Sequence, residues 1–106
     1  MAHTVLIVIG SGDIALSELL IRALDEPDIT VIPKTNTESA LAYIRSTPPD
    51  FIVASVTLAA DRNSAADPGG GILFCEAARA ICPAPMALVT SAITNAVQQR
   101  VARMTS

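Results

Sequence analysis

The 106-residue sequence predicts a single α/β domain, spanning 1–106, in which a parallel sheet of about four strands carries helices on both faces. Short aliphatic runs alternate with segments of helical periodicity, which gives the order β-α-β-α-β-α-β-α. Two of the runs, 5–9 and 51–56, are apolar at nearly every position. Such runs are typical of strands that are buried on both faces of a parallel sheet.

The first strand and the first helix are joined by a turn that contains two glycines. The strand, 5–9, is followed by Gly10-Ser11-Gly12 and then by apolar residues at helical spacing. Ser11 or Asp13 is the expected cap of this helix, because short polar side chains bind the free N–H groups of a first turn. The helix should end before Pro27, since proline disfavours the helical conformation of the residue that precedes it.

Proline also defines the second strand and the second helix. The strand is predicted at 29–32 and ends at Pro33. Because proline has no N–H to donate to a sheet, we expect this strand to lie at an edge. Asn36 or Thr37 should cap the helix that follows, and the prolines of the segment 47–49 end it.

The second half of the chain contains one long loop. Residues 58–70 are rich in Ala, Asp, Ser and Gly, and they are expected to form a mobile connection. A third helix is predicted at 72–82, apolar almost all round, with Glu76 and Arg79 as its charges. The fourth strand and a final amphipathic helix are expected at 86–89 and 93–104.

Composition restricts the classes of partner. Seven Lys and Arg stand against ten Asp and Glu, giving a net charge of −3, whereas nucleic-acid binding normally requires a basic face. No run reaches the ~18 apolar residues of a membrane span, and the N-terminus lacks the basic segment of a signal peptide. We therefore expect a cytoplasmic protein that binds neither nucleic acid nor membrane. The 51% of hydrophobic residues exceeds the usual share and favours a protein–protein interface.

Residues 10–15 suggest one possible function. Gly10-Ser11-Gly12-Asp13-Ile14-Ala15 matches G-x-G-x-x-G/A between a strand and a helix, where glycines let the backbone approach a pyrophosphate. That pattern also requires an acidic residue near the end of the second strand to hold a ribose, and residues 32–36 contain none. On this hypothesis the chain is a small Rossmann-like domain that binds a nucleotide or another ligand at Gly10, Ser11 and Gly12.

Three segments together resemble a response-regulator receiver domain. They are TESALAYIRSTPPD, PPDFIVASVTL and GGGILFCEAARAICPAPMALVTSA, and the resemblance extends from Thr4 to about Ala102. It consists of a Pro-Asp pair before the third strand, a glycine that opens the third helix, and a proline before a strand ending in Thr-Ser-Ala. The resemblance implies a flavodoxin-like three-layer sandwich, whose strand order in the family is 2-1-3-4-5. Here it implies the order 2-1-3-4, because the last strand-helix unit has no counterpart.

The resemblance also locates the positions of the family's phosphorylation site. The phosphoacceptor aspartate corresponds to Ser55, the acidic pair that holds Mg²⁺ corresponds to Ile9 and Gly10, and the Thr at the end of the fourth strand is Thr90. The family's lysine has no counterpart. Because Mg²⁺ needs oxygen ligands and phosphoryl transfer needs its charge neutralised, we expect a non-catalytic pseudo-receiver without metal or cofactor. It would not be switched by aspartyl phosphorylation. Elsewhere in the sequence, no nucleophile is paired with a base in a pattern that would indicate an enzyme.

The sequence has no counterpart of the receiver family's fifth strand and helix, and this absence predicts an interface. It leaves the edge of the fourth strand and one side of the first helix uncovered, and a symmetric homodimer would cover both. A repositioned final helix, or the remainder of a longer chain, are the alternatives. A signalling protein could also dock on the apolar third helix, unless Leu73 is buried under the long loop. The candidate interface residues are Ile14, Ile21, Leu73, Met86 and Leu88.

Overall fold

The structure is a computed structural model, and it describes residues 3–89 apart from the side chain of Ser11. Thr90 and the predicted final helix at 93–104 lie outside the described residues. A 3-10 turn, Ser11–Asp13, leads into the first helix. The strands and helices are β1 His3–Val8, α1 Ile14–Ala23, β2 Ile29–Lys34, α2 Thr37–Ser46, β3 Phe51–Ser55, α3 Gly70–Ile81 and β4 Met86–Val89.

The strands form one parallel sheet in the order β2-β1-β3-β4. This order confirms the predicted α/β class and is compatible with a flavodoxin-like fold. The central position of β1 explains its sequence, because Leu6 pairs with Ile32 on one side and with Ile52 on the other. A strand with neighbours on both sides and helices on both faces has no solvated side, so its buried part, 5–8, is apolar at every position.

The helices divide between the two faces of the sheet. The chain moves one way along the sheet from β1 to β2 and the other way from β3 to β4, so right-handed crossovers place α1 opposite α3. The α1 side covers a core cluster of Val5, Ile7, Ile9 and Val53. The α2 and α3 side covers a larger core cluster, in which Leu6, Val8, Ala40, Ile44, Ile52, Ala54, Leu58, Phe74, Ala78 and Cys82 are buried.

The second strand lies at an edge, as predicted, but it does not stop at Pro33. It continues through Pro33, paired with Ile7, to Lys34. Lys34 remains attached to the sheet because its carbonyl oxygen accepts a hydrogen bond of 3.0 Å from the Ile9 N–H. An edge strand needs donors on one side only, and a proline whose nitrogen faces the open side removes no bond of the ladder.

The third helix begins two residues earlier than predicted, at Gly70, because its glycines lie against backbone. A β-carbon added at Gly70 would overlap the carbonyl oxygen of Leu58, and one added at Gly71 would overlap that of Ser55. The Gly71 N–H donates to the Val56 carbonyl oxygen at 2.9 Å. The sequence suggests a loop at these glycines, whereas the structure uses them to seat the first turn of α3 on the end of β3.

The loop predicted to be mobile is extensively hydrogen-bonded. Leu58 and Asp67 exchange two backbone hydrogen bonds of 3.0 and 3.2 Å, forming a short antiparallel bridge. Asp61 Oδ1 accepts bonds from the Asn63 N–H at 2.8 Å and from Ser64 Oγ at 3.0 Å. The polar residues that suggest a mobile connection are therefore the residues that form its turns.

The close contact of α3 predicts that Gly71→Ala destabilises the protein. The added methyl group has to displace backbone, and overpacking of this kind costs about 1–3 kcal/mol. Gly69→Ala is the matched control, because a β-carbon there meets nothing within 4 Å, and its cost should stay under about 1 kcal/mol. Urea unfolding measures both free energies. Equal losses for the two variants would contradict the close approach.

Candidate functional site

A cavity of about 150 Å³ lies at the carboxyl edge of the sheet. Its walls come from the segments that follow β1, β2 and β3, and β1 and β3 are the strands between which the chain reverses its direction across the sheet. In open α/β sheets this reversal point is where ligands bind. The cavity is lined by Gly10, Gly12, Thr35, Asn36, Ala59, Asp61, Arg62, Ser64 and Ala66.

The two glycines of the turn after β1 line this cavity without being required by the backbone. Gly10 has φ −59° and ψ 154°, which other residues adopt readily. A β-carbon at Gly10 or at Gly12 would meet nothing within 4 Å. The dinucleotide pattern needs its glycines for a tight turn and for close approach to the pyrophosphate. In this structure the space beside Gly10 and Gly12 is open cavity. The turn therefore leaves room for a ligand but does not by itself identify one.

The start of α2 forms one wall, and its N–H groups already have partners. Asn36 caps the helix, as predicted, because its Oδ1 accepts from the Ser39 N–H at 2.8 Å. Thr37 donates its N–H to the Ala59 carbonyl oxygen at 3.0 Å, and Glu38 donates to that of Ala60 at 2.8 Å. The first turn of α2 is thus satisfied by the loop and by its own cap, and it offers no donor to an anion.

The turn before α1 is built differently. Its first residue is Gly10, whose carbonyl oxygen accepts from the Asp13 N–H at 2.9 Å. Asp13 occupies the cap position of α1 but makes no side-chain cap hydrogen bond, contrary to one of the two predicted caps.

Arg62 supplies the positive charge among the residues that line the cavity. Its neighbour Asp61 is engaged by the Asn63 N–H and Ser64 Oγ, and the hydroxyls of Thr35 and Ser64 complete a polar wall. A guanidinium with hydroxyl donors is suited to a phosphate-sized anion. Sequence reasoning missed Arg62 because the residue reaches the cavity only when the loop folds back over α2.

The positions that the sequence resemblance assigns to a receiver phosphorylation site carry no carboxylate. Ser55 ends β3 and is 1% exposed. Ile9 is buried in the α1-side core cluster, and Gly10 lines the cavity. Thr90 lies outside the described residues. Within residues 3–89 no group of three or more His, Cys, Asp or Glu side chains is placed to hold a metal ion.

A second concave surface, the α3–β4 groove, has a volume of about 490 Å³ and lies between one flank of α3 and β4. Burial raises the pKa of the Cys75 thiol above its ordinary value of 9.0, and nearby Arg79 partly offsets this. The helical spacing of the α3 residues that line the groove could have indicated from the sequence that they share one face of the helix. The sequence gives no sign that β4 contributes to the same groove. The groove is lined by Ile72, Cys75, Glu76, Arg79, Ala80 and Leu88.

The structure separates the five candidate interface residues into exposed and partly buried side chains. Ile14, Leu73 and Leu88 are 64%, 60% and 45% exposed. Leu73 is therefore not buried under the long loop, which was one of its two interpretations. Ile21 packs against the α1-side core cluster, and Met86 packs against the α2 and α3 side.

Comparison with known proteins informs the fold alone. No protein-family model matches the sequence, and no curated protein matches it. A solved structure described as the yeast Spc42 trimeric coiled coil, amino acids 181–211, fused to another structure has a TM-score of 0.69 over 97% of this chain. The two chains are 19% identical, and this chain spans 62% of the length of that one. Between residues 3 and 89, no helix has the length and apolar character needed to cross a bilayer.

The cap of α2 predicts that Asn36→Ala lowers the free energy of unfolding by about 1 kcal/mol, because the Ser39 N–H loses its acceptor. Asn36→Asp keeps an oxygen at this position and should retain most of the stability. Asn63→Ala is the control, since its exposed side chain caps no helix. Urea unfolding compares the three variants. An Asn36→Ala loss no larger than that of Asn63→Ala would contradict the capping role.

Proposed function

We propose that this protein is a receiver-like interaction module, a pseudo-receiver of two-component signal transduction that acts without catalysis. Its state is set by binding and assembly, since it is not switched by aspartyl phosphorylation. It functions in the cytoplasm, where it binds a second copy of itself, a signalling protein, or both. The proposal rests on the resemblance of the sequence to receiver domains and on the parallel order β2-β1-β3-β4.

The observation that carries the proposal is the environment of Ser55. This residue ends β3, at the position that corresponds to the phosphoacceptor, and it is buried. Its carbonyl oxygen lies against Gly71, so α3 closes over the end of the strand. Ile9 packs into the core where an acidic ligand would stand. A phosphoryl group would therefore meet neither an aspartate nor a metal ligand at these positions.

An interaction role accounts for apolar side chains that the fold does not use. Leu73 and Ile72 on α3 are exposed, as is Leu88 on β4. Isolated exposed aliphatic residues are ordinary, but contiguous ones mark interaction surfaces. Ile72 and Leu88 line the same groove, so these two residues form one surface.

The proposal predicts no phosphorylation when the protein is incubated with Mg²⁺ and acetyl phosphate. Intact-mass spectrometry should find no phosphoryl adduct, and light scattering should find no change in molar mass. Ser55→Ala is the matched control, because it removes the hydroxyl at the acceptor position. An adduct on an aspartate, or one that Ser55→Ala abolishes, would overturn the proposal.

The cavity supports a second candidate function, the binding of a small ligand such as a phosphate or the phosphate end of a nucleotide. Gly10, Gly12 and Arg62 line it. Its volume of about 150 Å³ is smaller than the ~300–1,000 Å³ of ordinary ligand sites. It would therefore accept a single phosphate group and leave the rest of a nucleotide outside.

This candidate predicts that inorganic phosphate or ATP raises the melting temperature. A ligand at about 100 times its Kd adds roughly 2.7 kcal/mol to stability, which amounts to roughly 10–20 °C in a domain of this size. Arg62→Ala should remove the shift, whereas Arg45→Ala, an exposed arginine on α2, should retain it. No shift with either probe would exclude this candidate and leave the pseudo-receiver proposal unaffected.

A further inference from the structure

The two edge strands of the sheet differ in how they meet a further strand. β2 carries Pro33 and ends at Lys34, and the nitrogen of Pro33 faces the open side. Proline and lysine on an edge strand are two of the devices by which proteins prevent edge-to-edge pairing. β4, at the other edge, is Met86–Val89 and contains neither a proline nor a charge. Of the two edges, β4 is therefore the one that can accept another strand.

The backbone of β4 presents hydrogen-bonding groups on its outer side. The carbonyl oxygens of Pro85 and Val89 accept bonds of 3.0 and 2.9 Å from N–H groups of β3 and its continuation. Successive residues of a strand turn their N–H and C=O groups to opposite sides, so Ala87 also faces β3, whereas Met86 and Leu88 turn theirs away. Within residues 3–89 no strand pairs with this outer side. The edge thus offers two donors and two acceptors in a row.

A second copy of β4 matches this row when it lies antiparallel, with a two-fold axis beside Ala87. Met86 of each copy is then opposite Leu88 of the other. Residues paired in this way exchange both of their hydrogen bonds, so the two pairs form four bonds and use every outward group of both strands. A two-fold axis makes the contact self-complementary, because each copy contributes the same residues.

The same arrangement brings the two α3 helices to packing distance. α3 contacts both β3 and β4, so it lies over the boundary between them. Since neighbouring strands are about 4.8 Å apart, pairing of the β4 strands places the α3 axes of the two copies about 10 Å apart, and packed helices are about 8–10 Å apart. The α3–β4 grooves of the two copies then face each other. Ile72 and Leu88, which are 47% and 45% exposed and line the groove, would be covered.

We propose that two copies of this chain associate through the outer edges of their β4 strands, antiparallel about Ala87, and form one sheet of eight strands, four from each copy. This deepens the proposed function, on which it rests, by naming the partner and the surface. An edge of four residues with one helix flank is smaller than a standard interface of about 800 Å² per partner. We therefore expect a dissociation constant of about micromolar or weaker.

A proline at position 88 tests the pairing. Leu88→Pro removes an N–H that is not given to β3, so the fold should tolerate it, as it tolerates Pro33 on the other edge. It removes one bond donated by each copy across the interface. Light scattering over a dilution series should show the dimer weakened by about tenfold or more. Val31→Pro is the matched control, because position 31 lies two residues before Pro33 on β2 and its N–H also faces the open side, and it should leave the dimer unchanged.

Circular dichroism melting checks that both proline variants are folded. The proposal is overturned by a wild type that is monomeric at all concentrations, whether residues beyond 89 or another protein cover the edge. It is also overturned if folded Leu88→Pro dimerises as tightly as the wild type, or if Val31→Pro weakens the dimer equally.

Cross-linking tests the register independently of the proline variant. The two copies of Ala87 would face each other across the axis as a non-hydrogen-bonded pair, with Cα atoms about 4.5 Å apart, inside the range of about 4.4–6.8 Å for disulfides. In a Cys75→Ser background, where the remaining Cys82 is buried, Ala87→Cys should form a linked dimer in glutathione buffer on a non-reducing gel. Ala42→Cys, at an exposed position of α2, should stay unlinked. Equal linkage of the two variants, or none at position 87, would overturn the arrangement.

The outcomes separate this inference from the function on which it rests. A monomer that takes up no phosphoryl group from acetyl phosphate would refute self-association through β4, while the pseudo-receiver proposal would stand with another partner. A phosphoryl adduct on an aspartate would refute the pseudo-receiver proposal whatever the molar mass. A dimer that Leu88→Pro weakens and Ala87→Cys links, without any adduct, supports both.

Discussion

The seating of α3 on the end of β3 is the contact on which the rest of the structure depends. Two glycines allow it, because any side chain at Gly70 or Gly71 would meet the carbonyl oxygens of Leu58 and Ser55. The contact determines where the loop before α3 must close, and therefore the far wall of the cavity. It also determines which side of α3 faces the sheet and which side remains in solvent. Both candidate surfaces thus follow from one close approach between backbones.

Periodicity was sufficient to predict the sheet and most of the elements from the sequence. The aliphatic runs identified the strands, and Pro33 identified the edge, because both signals are local. The start of α3 was wrong by two residues because glycine is a weak helix former when its surroundings are unknown. Only the neighbouring strand end makes Gly71 favourable there. The length of β2 was wrong for a related reason, since Pro33 is harmless only on the open side of a sheet.

The residues of the candidate sites also divide into those with a local signal in the sequence and those that depend on distant parts of the chain. Ser55, Ile9 and Gly10 could be assigned positions from the sequence, because their distance from a strand end fixes their place in the fold. Arg62 and the α3–β4 groove could not, because they depend on how a loop folds back and on which strand lies beside a helix. Composition indicated an excess of apolar surface, whereas the structure locates part of it at Leu73 and Leu88.

The hydrogen bonds between the start of α2 and the loop make a local element depend on a distant one. The N–H groups of Thr37 and Glu38 donate to the carbonyl oxygens of Ala59 and Ala60, which follow β3 in the sequence. These two N–H groups of the first turn of α2 therefore find their protein acceptors only when β3 has paired and the loop has returned, which adds long-range contacts to the folding route. In the native state, exchange of these two amide protons with solvent requires the loop to detach. Their exchange rates therefore report on the opening of the loop more directly than on the stability of the helix.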